Sequence, residues 1–269
     1  LTRVFKTYLL NKVMTKALNS LLVLLLLLIM AACGGKGSMK KAQDSAADTI
    51  TVPDTGFTGI KQYFSNKILV KEASFRNGIL NGETKTYYQG GQLNQTFWYE
   101  NGVREDSARK YYLEGQVFRS TPYRNDTIHG TQLQYYRTGK VRARLNFIKG
   151  MRTPEMEEYD RNGRLQKNYP EIVYSFDDNY NKSGKVRLNL SISDEKRKVK
   201  FYIGEFTNGV FDTTICKLIP PVNDKSFIDL KKSGTPQPDH VSVIAAIVTD
   251  FGNSYLTLKK IPLPYNDLK

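Results

Sequence analysis

Apolar and polar positions along the chain fall into three regimes. Every position from Leu21 to Met30 is apolar. Between residues 60 and 169 the aromatic and apolar positions recur at a fixed interval of 24: Phe75, Tyr99, Tyr123 and Phe147; Tyr87, Tyr111, Tyr135 and Tyr159; and Leu93, Val117, Val141 and Leu165. Glycines keep the same step at Gly91, Gly115, Gly139 and Gly163, and turn pairs fall at Asn77-Gly78, Asn101-Gly102, Asn125-Asp126 and Lys149-Gly150. Asn-Gly between alternating aromatic segments marks a tight hairpin, because both turn residues need positive φ. The later glycine of each unit marks the turn into the next strand. Each unit is thus one hairpin, and hairpins in series predict an elongated antiparallel meander. A partial unit with Tyr63-Phe64 and Leu69 precedes the first complete one.

After Pro170 the period stops and short alternating runs take over. Val186, Leu188, Leu190 and Ile192 alternate with polar neighbours, as do Val199, Phe201 and Ile203, the signature of half-buried strands. Further strands are expected at 172–176, 211–219, 226–231, 241–249 and 254–261, with turns at Asn181–Gly184, Ser193–Lys196 and Ser233–Pro236. About seven short strands suggest an immunoglobulin-like β-sandwich, although the Cys…Trp…Cys signature of true immunoglobulin domains is missing. The expected class is therefore all-β. The expected divisions are 1–32 as a leader, 33–56 as a small, polar, flexible tether, 57–170 as the repeat domain and 171–269 as the sandwich.

Leu21–Met30 lies behind Arg3, Lys6, Lys12 and Lys16, with no acidic residue before it. Basic residues, a short apolar run and small residues in that order make a secretory signal. About ten apolar residues are too few to span a bilayer core, which takes roughly 20. Translation is expected to start at Met14. Without residues 1–32 the chain keeps 36 Lys and Arg against 26 Asp and Glu, a net charge of +10. That excess suits anionic partners or a plain solvated surface. Export makes nucleic acid an unexpected partner.

The run closes as Ile29-Met30-Ala31-Ala32-Cys33-Gly34-Gly35, which resembles the bacterial lipobox, with Met30 where leucine is commoner. The resemblance implies cleavage before Cys33 and acylation of that residue, palmitate included, anchoring the chain to a membrane; two or more acyl chains hold stably. Gly34, where enteric inner-membrane lipoproteins carry Asp, implies the outer membrane. The absence of an acidic run after Cys33 implies the periplasmic face. Phe75-Arg76-Asn77-Gly78, Gly82, Tyr87-Tyr88 and Gly91-Gln92-Leu93 resemble the MORN repeat in its bacterial variant form, a scaffold module whose bacterial members are often labelled antitoxin-like. Departures gather at the end of the series: Asp126 for glycine, Pro154 where Gly82 and Gly130 stand, and Asp160 for the second tyrosine.

Catalytic motifs are not found. His129 and His240 have no cysteine or carboxylate at metal-ligand spacing, and no Gly-x-Ser-x-Gly, Walker loop or His-Glu-x-x-His occurs. Asp177–Leu188 has a calcium-loop flavour, but Leu188 stands where Glu is needed. Glu157-Glu158 reads as a solvated face of a surface hairpin. With Cys33 lipidated, Cys216 has no disulfide partner and reads as a buried thiol. No enzyme activity, metal or cofactor is expected. The expected function is a membrane-anchored, non-enzymatic interaction scaffold with an envelope protein partner. The alternatives are glycan or peptide binding, or an antitoxin or immunity role. Tyr88, Tyr112 and Tyr136, the second tyrosines of the Tyr-Tyr pairs, are the candidate interaction surface.

Overall fold

The computed structural model describes residues 56–269, Asp224 excepted; the leader, Cys33 and the tether lie outside the described residues. Ten strands make one antiparallel sheet: β1 (Gly59–Ser65), β2 (Ile68–Arg76), β3 (Ile79–Tyr87), β4 (Leu93–Glu100), β5 (Val103–Tyr111), β6 (Val117–Arg124), β7 (Thr127–Ile128), β8 (Gly130–Tyr135), β9 (Val141–Ile148) and β10 (Met151–Glu158). They follow one another in chain order, the short β7 lying beside β6, so the predicted meander is the observed topology.

Both predicted turn types are present. Asn77-Gly78, Asn101-Gly102, Asn125-Asp126 and Lys149-Gly150 all take positive φ, the two-residue turn that matches strand twist. At the other end Gly91, Gly115 and Gly139 are left-handed, and each donates its N–H to the carbonyl of the second tyrosine, at 2.9, 3.0 and 2.9 Å. A third feature also recurs once per unit, a bulge that shifts the register between Ala73 and Phe75, Thr96 and Trp98, and Arg152 and Met156. Gly82, Asp106 and Gly130 hold positive φ at this step. Pro154 falls inside the last shift, where no ladder bond asks for its missing N–H. The sequence marked Pro154 as a departure, and the bulge explains why it is tolerated.

The meander is one layer thick and has almost no core. Among the described residues its only fully buried apolar side chains are Ala73, Ala143 and Leu145. Two families of hydrogen bonds join each unit to the next. On one rim the second turn residue reaches back 22 positions: Gly102 N–H to Leu80 O at 2.7 Å, Asp126 to Arg104 at 3.0 Å and Gly150 to Ile128 at 2.8 Å. On the other rim the second tyrosine reaches forward 23 positions. Tyr88 donates its hydroxyl to Tyr111 O at 2.8 Å, Tyr112 to Tyr135 O at 2.8 Å and Tyr136 to Tyr159 O at 2.7 Å.

The remaining strands form a sandwich. β11 (Ile172–Asn179), β12 (Lys185–Ile192) and β15 (Ser226–Lys231) make one sheet. β13 (Val199–Ile203), β14 (Lys217–Ile219), β16 (His240–Val248) and β17 (Ser254–Pro262) make the other, in the order β14-β13-β16-β17. The first, second and fifth strands oppose the third, fourth, sixth and seventh, an immunoglobulin-like sandwich in which the fourth strand pairs with the third instead of joining the first sheet as in the constant type. Here lies the true core: Val186, Leu188, Leu190 and Ile192 with Phe201, Val243, Ala245, Ile247 and Ile261. The stretch expected as a strand over 211–219 is regular only at Lys217–Ile219, and Asn181–Gly184 begins within a helical turn, α1 (Tyr180–Ser183), closed by left-handed Gly184.

Replacing Tyr112 by Phe removes one inter-unit bond and little volume. We expect a loss of about 1 kcal/mol, the usual net worth of a hydrogen bond, read as a lower urea midpoint of the full chain. An unchanged midpoint would show that the tyrosine rim does not bear on stability.

Candidate functional site

Strand alternation divides the side chains of the meander between two faces. One face carries Glu72, Lys85, Thr96, Arg109, Ser120, Leu133, Arg144 and Glu157 in cross-strand succession. Tyr87 lies on this face and donates to Glu72 Oε2 at 2.6 Å, which holds the Glu72 carboxyl below its ordinary range. Burial first, and the Glu72 bond second, push the Tyr87 phenol up to about 12. Trp98 lies on this face and is exposed.

The opposite face carries the aromatic series Phe75, Tyr99, Tyr123 and Phe147. Cations cover three of these rings: Lys61 Nζ at 5.5 Å from Phe75, Arg104 at 4.8 Å from Tyr123 and Arg152 at 5.4 Å from Phe147. Deeper along the strands, Lys71, Thr86, Gln95, Lys110, Arg119, Gln134, Ala143 and Glu158 succeed one another on this same face.

That row ends in the joint with the sandwich. Glu158, placed by sequence on a solvated face, is fully buried, and the expectation is corrected. Alternation turns its side chain toward the loop between β16 and β17. There Oε1 accepts Thr249 Oγ1 at 2.8 Å and Asn253 Nδ2 at 2.7 Å. Tyr169 donates to Oε2 at 3.3 Å, and burial, reinforced by the Glu158 charge, raises its phenol pKa. Gln134 Nε2 donates to Asn253 Oδ1 at 2.7 Å, and Arg142 donates to the Phe251 carbonyl. Arg152 donates to Ser254 O at 3.4 Å but leaves its Nε without a partner; burial lowers its pKa to about 10, opposed by the Glu158 charge. Tyr169 stacks on Tyr255, centroids 4.2 Å apart. Glu157 behaves as expected of a surface residue: it is exposed, 3.4 Å from Arg144, and accepts the Tyr159 hydroxyl at 2.7 Å.

The candidate tyrosines Tyr88, Tyr112 and Tyr136 are half-buried, and their hydroxyls are engaged in the inter-unit bonds. What they offer outward is ring surface, part of it already covered: Arg137 lies 5.0 Å over Tyr112, and Phe118 packs on its edge. At the free edge Phe64 stands in the same position of the period, and it and Ile60 are 60 % and 64 % exposed. His129 Nδ1 accepts the Lys149 N–H at 3.4 Å, while His240 meets Asp239 at 2.7 Å. In the calcium-like stretch the oxygens diverge: Asp178 accepts from Tyr180 N–H and Tyr265 O–H, and Asp177 from Asn189. Cys216 is buried beneath Gly204, with a raised thiol pKa from burial. Among the described residues no three His, Cys, Asp or Glu side chains gather as a metal site, and no helix is long and apolar enough to cross a membrane.

The MORN repeat variant family matches residues 128–149, the span from β7 to the last two-residue turn. Its hairpin shares its turns, bulge and tyrosine with the units before it. No curated protein and no solved structure matches the chain.

The joint is open to test through Glu158. Changing it to Leu leaves Arg152 without the opposing charge and Asn253 without its acceptor, and we expect a loss of about 3–5 kcal/mol in urea unfolding of the full chain. Adding Arg152→Met should restore part of that loss. A double variant no more stable than the single one would show that the two charges are not coupled.

Proposed function

We propose that this chain is a membrane-anchored envelope lipoprotein whose repeat sheet is a non-enzymatic scaffold for protein interaction. The observation that carries the reading is the single-layer sheet. It is fixed to the sandwich at one end, while over its first units both faces lie open to solvent. Repeats of the matched family often serve in protein interaction. A thin sheet held by rim hydrogen bonds presents two wide surfaces at little cost in buried apolar area. Trp98 on one face and the ring surfaces of Tyr88, Tyr112 and Tyr136 are the side chains best suited to anchor a partner, since aromatic residues dominate interface energetics. The lipobox-like sequence ending at Cys33 supports the anchoring half of the proposal, and the small polar stretch after it would give the folded part reach from the membrane.

Each half has its own test. In cells fed an alkyne-tagged fatty acid, the chain should be labelled and sediment with membranes, and Cys33→Ser should abolish labelling and release it. Equal labelling of the variant would end the lipoprotein reading. In-cell crosslinking of the native chain should recover a dominant envelope protein that is lost with Trp98→Ser. A crosslinking pattern that the sheet-face change leaves untouched would end the scaffold reading.

A further inference from the structure

We infer that Lys110 and Arg119 form a binding site for a phosphate monoester group on the sheet face that also meets the sandwich. The two residues are direct cross-strand partners on β5 and β6, so their side chains share that face. Like charges placed opposite each other destabilise a sheet. Elsewhere on the strands Arg104, Arg144 and Arg187 each meet a carboxylate, Asp126, Glu157 and Asp229 respectively, and the one other cross-strand pair of cations among the described strands, Lys185 and Lys231, is fully on the exposed surface. Lys110 and Arg119 are half-buried, and no ion pair or hydrogen bond joins either to another described side chain. They flank a dent of about 80 Å³ that Gln95, Phe97, Thr121 and Tyr123 also line and that the small side chain of Ala108 leaves open; Arg109 borders it too, from a strand position whose side chain belongs to the opposite face.

The repeat supplies its own control. The position of Lys110 is Thr86 one unit earlier and Gln134 one unit later. That of Arg119 is Lys71 two units earlier, Gln95 one unit earlier and Ala143 one unit later. The scaffold therefore does not need a cation at either place. In the same row the departures Gln134 and Glu158 serve the joint, so the row is where this chain has put specific contacts.

The charge of the pair selects the ligand. A carboxylate or phosphodiester brings one negative charge to two cations. A phosphate monoester brings about −1.5 to −2 at pH 7, with three acceptor oxygens. The guanidinium fork of Arg119 grips two of these, and the Lys110 ammonium adds a point charge. The dent is open to solvent, so the esterified remainder of the ligand extends outward.

The test is calorimetric titration of the full chain in detergent with inorganic phosphate at fixed ionic strength. Saturable binding of one phosphate is expected. Lys110→Gln with Arg119→Gln should weaken it at least tenfold, while the charge-matched control Arg76→Gln with Lys140→Gln leaves it unchanged. Glycerol 3-phosphate should displace phosphate and acetate should not. Affinity for glycerol 3-phosphate should fall between pH 7.5 and 5.5 as the monoester, whose second pKa is about 6, takes up a proton. Absence of saturable binding, or equal affinity in the double variant and its control, overturns the site. Displacement by acetate, or none by glycerol 3-phosphate, overturns the monoester assignment.

Discussion

A sheet one layer thick has no second layer against which to bury its side chains, and everything else in this repeat follows from that constraint. Burial of apolar area is the main favourable term in most folds, and here it is nearly confined to the sandwich. The meander relies instead on directional bonds repeated at fixed intervals. Turn N–H groups reach back one unit on one rim, and tyrosine hydroxyls reach forward one unit on the other. Positive φ at both turn residues aims the N–H, and left-handed glycine at the opposite turn closes the loop that carries the tyrosine. Spacing must then be kept strictly, since one inserted residue would break both stitches and flip the faces. The unbroken 24-residue period is the sequence record of that requirement.

The two ends of such a series need different solutions. At the start Phe64 occupies the tyrosine position of the period and lacks the hydroxyl. At the finish Asp160 stands there and turns its carboxylate to the N–H groups of Asn162 and Arg164, at 2.8 and 2.9 Å, closing its own turn in place of a next unit. The sandwich then covers the last strands through a joint that is polar rather than greasy. A buried carboxylate is costly unless its lone pairs are used, and Thr249, Asn253 and Tyr169 use those of Glu158. Such a joint fixes orientation more sharply than apolar contact does, because each bond has a direction.

Local chemistry was legible in the sequence, and long-range placement was not. The all-β class, the meander, both turn types and most sandwich strands follow from Asn-Gly pairs, spaced glycines and alternation. The bulge was half visible: Gly82, Gly130 and Pro154 stood out by position, but only the register shift shows that they mark the same step. Glu158 was misread because the two partners of its Oε1 lie more than ninety residues away on the β16–β17 loop, and no local pattern reports them. The tyrosine pairs showed that neighbouring rings must differ in environment, yet not that Tyr88, Tyr112 and Tyr136 would spend their hydroxyls on the backbone. The 211–219 stretch alternates like a strand, but Thr213 to Cys216 are held instead by the turn that Asp212 organises, with its carboxylate accepting from Thr214 at 2.8 Å.

A repeat protein carries an internal reference that a single-copy fold lacks. Each position can be compared with its own equivalents, and residues that serve the scaffold should recur. The rim tyrosines recur, as do the turn residues and the ring series from Phe75 to Phe147. What fails to recur at a position that geometry makes equivalent has a cause outside the scaffold. Along one row of this sheet nothing recurs: the equivalents are Lys71, Gln95, Arg119 and Ala143 on one set of strands and Thr86, Lys110, Gln134 and Glu158 on the other. Gln134 and Glu158 have partners on the sandwich, and those partners explain them. Lys110 and Arg119 have no such partner, and unlike the exposed cross-strand pair Lys185 and Lys231 they are half-buried, which is what the proposed phosphate site accounts for.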